Sequence, residues 1–211
     1  MNLRRIFTCA LWICVDRFGL LLCCNLLTLL LTLPVITFPL GMAGLLHVAE
    51  KLVSTRNASM KDYFAGMQKL AGRMVVAVSS LVFLGFCCRW AWRFYSMQAP
   101  FLRAMGCTIA LMSAAAGLSL GYVMLHSIAR GFGWKECLVE STRIILEKPA
   151  DVLKLLIAVF AIECLLAPTG AGFIVFGWIW PVLTSLLYRA DPPYQEDRNI
   201  QDFFVPTNLT K

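Results

Sequence analysis

Charge-free apolar runs cover Phe18 to Ala49, Met74 to Cys88, Ala104 to Ala129 and Cys164 to Tyr188, and the charged positions gather between them. A helix needs about 20 apolar residues to cross the hydrocarbon of a bilayer. The pattern therefore predicts membrane-spanning helices. The first run is long enough for two rods and holds Pro34 and Pro39. Pro34 lacks an amide donor and disfavours helical backbone at Leu33, so a helix from about Trp12 should stop there. Thr37 is placed to cap a second helix with Pro39 in its first turn, running to about Ser54. The expected spans are 12–33, 39–54, 74–96, 104–129, 150–167 and 171–188. They make an all-α polytopic membrane bundle of about six helices, five long and one short and proline-started. Residues 1–190 form a single transmembrane domain and 191–211 a polar cytoplasmic tail.

Two polar segments separate descending from ascending spans. In the first, Met60, Tyr63, Phe64 and Met67 recur at the i, i+3, i+4, i+7 spacing of an amphipathic helix, with Ser59 as its cap. In the second, Trp134, Cys137, Leu138 and Ile145 form a rougher stripe after the turn "GFG". Both are expected to lie flat on the inner membrane face. Leu46-His47 and Leu125-His126 open the two segments 79 residues apart, which suggests two hairpin units related by an axis along the membrane normal. Two membrane hairpins also share period and loop chemistry by default.

Composition agrees with this picture. The chain has 211 residues, 59% hydrophobic and 15% charged, with mean hydropathy +0.73. A soluble domain carries about a quarter charged residues. The net charge of +7 is dealt out among loops instead of forming a nucleic-acid patch. With six crossings, sixteen of the nineteen Lys/Arg and both termini share one side, the cytoplasmic side under the positive-inside rule. If 39–54 failed to cross, Arg4, Arg5 and Arg17 would face away from the two basic loops. On this topology Asn57-Ala58-Ser59 and Asn208-Leu209-Thr210 are cytoplasmic, so neither is a glycosylation site. The basic start "MNLRR" is that of a signal peptide, but Asp16 and Arg17 interrupt the apolar region and no small-residue cleavage site follows, so the first helix is expected to stay. Six of the nine cysteines sit in apolar runs and none form C-x-x-C, so they read as packing residues.

Polar groups at membrane depth are costly and each needs a partner. Asn25 can bond across to a neighbouring helix, worth about 0.6 to 2 kcal/mol, or contact a ligand. Thr37 reads as a cap. His47 and Glu50 share a helical face and form either a proton relay or a solvated helix end, and His126 takes the same depth in the second unit. With no third ligand near the histidines, no metal site is expected. Glu163 lies in an apolar helix and is too short to snorkel, so Arg89 is its expected partner, as an ion pair between helices or part of a substrate site. Gly106, Ala110 and Ala114 form one small-residue seam, and Ser113, Gly117 and Gly121 another, which marks this span as the bundle centre or a homodimer face. Pro181 should kink the last span. No nucleophile elbow, phosphate loop, metalloprotease helix or carboxylate pair occurs, and no cofactor is expected.

Asn25 followed by "LLTLLLTLPVIT", the turn into "AGLLHVAEKLV" and then "KDYFAGMQKL" resemble the YesL-like family of small bacterial membrane proteins, a domain of unknown function. The likeness extends more weakly through "LEKPADVLKLLIA" to "WPVLTSLLY". It departs from the family pattern at "AGMQKLAG", where phenylalanine, lysine and asparagine usually alternate. The resemblance implies a multi-pass protein of the bacterial plasma membrane, encoded beside carbohydrate-uptake genes, with no catalytic residue to carry over. The expected function is a non-enzymatic accessory of a sugar-transporter permease. The alternative is a small solute transporter using Asn25, the histidines and Glu163.

Overall fold

The computed structural model describes residues 3–32, 37–166 and 179–188. The described residues form eight α-helices: α1 (Leu3–Asp16), α2 (Phe18–Thr32), α3 (Phe38–Thr55), α4 (Met60–Ser96), α5 (Pro100–Ala129), α6 (Trp134–Glu147), α7 (Pro149–Leu166) and α8 (Ile179–Tyr188). The proline-broken run thus makes two rods, α2 and α3. The tail 191–211 and the link between the last two expected spans, "APTGAG" at 167–172, lie outside the described residues.

Three sequence expectations are corrected. The first span does not start at Trp12, because α1 and α2 meet at 93° across Arg17. Charge explains the corner: Arg17 pairs with Asp16 at 3.2 Å and donates to the Arg56 carbonyl at 3.3 Å, so the chain turns where both charges reach the surface. Second, the polar segment after Ser59 is no separate surface helix. It continues into the apolar stretch as one 37-residue helix, about 55 Å long. Its start is the predicted one, with the Asp62 carboxylate accepting from the Ser59 N–H at 2.8 Å and from its hydroxyl at 3.0 Å. Nothing between Lys69 and Met74 breaks a helix except Gly72, which a helix tolerates at about 1 kcal/mol.

Third, the centre is α3, not α5. Every residue from Gly41 to Ala49 is buried, against α2, α4, α5 and α8. Gly41, Ala43, Gly44 and Ala49 let neighbours approach this helix on all sides. The first half of α5 is instead largely exposed, with Phe101, Leu111 and Met112 between 65% and 77% accessible. Its buried seam is Gly106, Ala110 and Gly117, with Ala114 and Gly121 half-buried, so the two expected seams merge into one on the α4 side. Ser113 lies outside that seam, exposed. A Cβ on Gly106 would fall 2.0 Å from the Tyr95 ring, and one on Gly121 2.7 Å from the Leu81 side chain, so both glycines make room for a side chain of α4.

The register of α3 on α4 decides where the membrane can lie. Lys51 meets Asp62, a Cβ on Gly66 would meet His47, and one on Gly44 would meet Tyr63. The helices are antiparallel, and at that register Phe38 comes level with roughly residue 72 of α4 at equal rise per residue. So α3 runs beside the charged third of α4, which holds Lys61, Asp62, Lys69 and Arg73, and not beside Met74–Cys88. Thr28 meets Tyr63 and Cys24 meets Met60, so α2 lies at the same level. The molecule is a helical head continued by an α4–α5 hairpin. By length and composition, α4 and α5 are each apolar enough to cross a membrane, and the bent pair α1–α2 makes a third if it is one span. Among the described residues α3 and α7 do not meet that test.

Candidate functional site

Buried polar side chains collect where α2, α3 and α4 meet. Asn25 and Thr28, one turn apart on α2, are fully buried. Thr28 is fixed by a spine of bonds: its hydroxyl donates to the Cys24 carbonyl at 2.8 Å, reaches the Gly41 carbonyl at 3.3 Å and shares a hydrogen bond with the Tyr63 hydroxyl at 3.0 Å. Gly41 and Gly44 make this approach possible. A Cβ on Gly41 would lie 3.2 Å from the Thr28 backbone, and one on Gly44 2.9 Å from the Tyr63 ring.

His47 follows one turn later on α3, 8% exposed. Gly66 packs directly over it: a Cβ there would sit 2.4 Å from the His47 Cβ. The charges around the imidazole are Lys69 and Asp62 on α4 and Glu50 and Lys51 on its own helix. Glu50 is half-buried at the aqueous edge. One turn further the interface closes with Lys51, whose ammonium donates to Asp62 at 2.6 Å. Asp62 lies outside the apolar stretch of α4, and the Lys51 hydrogen bond, then the Ser59 backbone N–H, hold its carboxyl down to about 2.

Thr37 stands at the start of α3, and its carbonyl accepts the first helical bonds from Leu40 and Gly41. Its hydroxyl does not cap α3. It donates back to the Leu31 carbonyl at 2.6 Å, tying the end of α2 to the start of α3. Two facts explain this: Thr37 has helical φ and ψ of −92° and −9°, which turn its side chain from the first amides, and Pro39 offers no amide to cap.

His126 is buried near the end of α5, where its carbonyl accepts from the Arg130 N–H at 3.1 Å. The two polar helices do begin alike. Glu136 accepts from the Gly133 N–H at 2.9 Å as Asp62 does from Ser59, although α6 then stops at Glu147 before Pro149 while α4 continues. Arg89 is exposed on the hairpin. The side chain of Glu163 lies outside the described residues, and with it the expected Arg89–Glu163 pair. Among the described residues no three His, Cys, Asp or Glu side chains gather as a metal site.

Two buried hydroxyl pairs escaped sequence reasoning, Thr28–Tyr63 and Tyr122–Thr184. In the second, the Tyr122 hydroxyl donates to Thr184 at 2.8 Å and links α5 to α8. Their partners are 35 and 62 residues apart, so no local spacing announces them. Chemically, the α2–α3–α4 junction is a set of mutually satisfied hydroxyls, a packed imidazole and a surface ion pair. Such an arrangement fixes helix register. No family model, curated protein or solved structure matches the chain.

Proposed function

We propose that the protein is a non-enzymatic, multi-pass membrane protein that holds a helical docking unit at the inner membrane face. The α4–α5 hairpin crosses the bilayer. Along α4, Arg73 and Arg93 are separated by about 30 Å, the thickness of the hydrocarbon. A slab drawn instead around the α2–α3 contacts would bury Lys61, Asp62, Lys69 and Arg73, each costing about 2.5 to 3.5 kcal/mol at the centre. We therefore replace the crossings expected at 12–33 and 39–54 with a hairpin, α2–α3, that reaches the inner face and turns back. From the inner-face α6, the helix α7 (Pro149–Leu166) leads back into the bilayer beside the hairpin. Arg4, Arg5 and Arg17 stay on the side of the basic loops, so the N-terminus is cytoplasmic and the positive-inside rule is kept.

Support for docking comes from α6. Its inner face, Cys137, Ser141 and Ile144, is buried, while Val139 and Leu146 on the outer face are 70% and 75% exposed beside the Arg143–Glu147 ion pair. The resemblance to the YesL-like family suggests the occupant: the permease of a bacterial carbohydrate-uptake system. Purification in gentle detergent tests this. A sugar permease should accompany the wild type and be lost from Val139→Asp/Leu146→Asp at equal protein level. Recovery of the same permease with both proteins, or of none, would overturn the reading.

A solute transporter is the second reading, favoured by the buried polar line Asn25, Thr28, His47 and Tyr63. It requires substrate-dependent uptake by proteoliposomes holding this protein alone, abolished by Asn25→Ala.

A further inference from the structure

We infer that the far end of the α4–α5 hairpin is a binding surface for anionic phospholipid headgroups. From Tyr63 to Lys135 the chain carries seven Lys/Arg and no carboxylate. Three of these, Arg89, Arg93 and Arg103, cluster at the tip, and all three are exposed. Arg89 and Arg93 are one turn apart on α4, so their guanidiniums rise about 6 Å from one to the next along the same face. Arg103 joins them from α5, with one of its nitrogens donating to the Gln98 carbonyl at 3.2 Å across the turn.

The apolar surroundings place these charges at headgroup depth. Trp90, Trp92, Phe94 and Phe101 are 67%, 51%, 60% and 77% exposed around them, and exposed tryptophan beside arginine is the composition of a membrane–water interface. Three positive charges there need counter-charges. Neither helix of the hairpin supplies one, since no carboxylate stands between Tyr63 and Lys135. Phosphodiesters match the planar donor fork of arginine. A zwitterionic lipid brings its own cation and leaves the excess uncompensated, whereas an anionic lipid neutralises it. The tip thus selects anionic lipid from the outer leaflet, independently of whatever docks on α6.

The full-length protein, reconstituted into equimolar phosphatidylcholine and phosphatidylglycerol and excised in polymer-bounded discs, tests this by mass spectrometry of the retained lipid. Wild type should be enriched in phosphatidylglycerol over the bulk mixture. Arg93→Gln/Arg103→Gln should weaken the tip's preference for phosphatidylglycerol by about fivefold per arginine, since each basic residue near an anionic surface is worth that factor, and return the retained lipid to the equimolar bulk ratio. Arg93→Lys/Arg103→Lys, which keeps the charge and guards against a folding defect, should retain most of it. Lys61→Gln/Lys69→Gln in the head should leave it unchanged. Equal lipid ratios in wild type and the glutamine variant would overturn the inference, as would a lysine variant that loses as much as the glutamine variant.

Discussion

Gly66→Ala should destabilise the protein although alanine is the better helix former. In an open helix the change gains about 1 kcal/mol. Here the added methyl would lie 2.4 Å from the His47 Cβ and 3.0 Å from the Ala43 carbonyl oxygen, both on or next to the α3 backbone, so no rotamer change relieves it. Forcing packed elements apart costs about 1 to 3 kcal/mol, which offsets or exceeds the gain. Gly72→Ala, on the same helix with nothing within 4 Å of its added Cβ, is the internal control and should be stabilising. The two variants should therefore differ by about 1 to 3 kcal/mol, and their melting temperatures by several degrees at about 2 to 4 °C per kcal/mol for a chain of this size. Thermal unfolding in mild detergent, followed by a thiol-reactive dye on the buried Cys14, Cys24 and Cys137, measures it. If Gly66→Ala melts at or above Gly72→Ala, α3 does not pack on the charged third of α4 as described.

Tyr63→Phe should cost about 0.5 to 1.5 kcal/mol, the net worth of one hydrogen bond, because Thr28 keeps its two carbonyl acceptors. Thr28→Val, which strands the Tyr63 hydroxyl in the interior, should cost more in the same melt. Asp62 is depressed to about 2, so its stabilisation is complete above the ordinary carboxylate range and is lost as pH falls from about 4 toward 2. That loss should be missing from an acid titration of Asp62→Asn. Gly106→Ala should cost about 1 to 3 kcal/mol in wild type but much less in a Tyr95→Ala background, because the Tyr95 ring is what the new methyl meets.

Much of the helix plan was legible, for reasons that also mark where reading failed. Pro34 and Pro39 act through local backbone chemistry, so the separation of α2 from α3 could be read directly, as could the Ser59–Asp62 start of α4. The fusion of the polar and apolar parts of α4 could not, since a change in hydropathy is no helix stop. The corner at Arg17 depends on the Arg56 carbonyl, 39 residues away. Small residues every fourth position identified the close face of α5 correctly at Gly106, Ala110, Gly117 and Gly121. Four-residue spacing drifts around a 3.6-residue helix, however, and carried Ser113 onto the wrong side. The polar junction was half visible: Asn25 and His47 were singled out, but the bond from Thr28 to Tyr63 and the cover that Gly66 gives His47 exist only in three dimensions.

The central claim is that the α2–α3 hairpin turns back at the inner face while α4–α5 crosses. It is tested most directly by labelling single cysteines in a cysteine-free background with a membrane-impermeant maleimide, in intact cells and in inside-out vesicles. Gln98→Cys at the hairpin tip should label in intact cells. Thr37→Cys, between α2 and α3, should label only in inside-out vesicles, together with Asn57→Cys. Labelling of Thr37→Cys from outside intact cells would contradict the account and restore two crossings to α2 and α3.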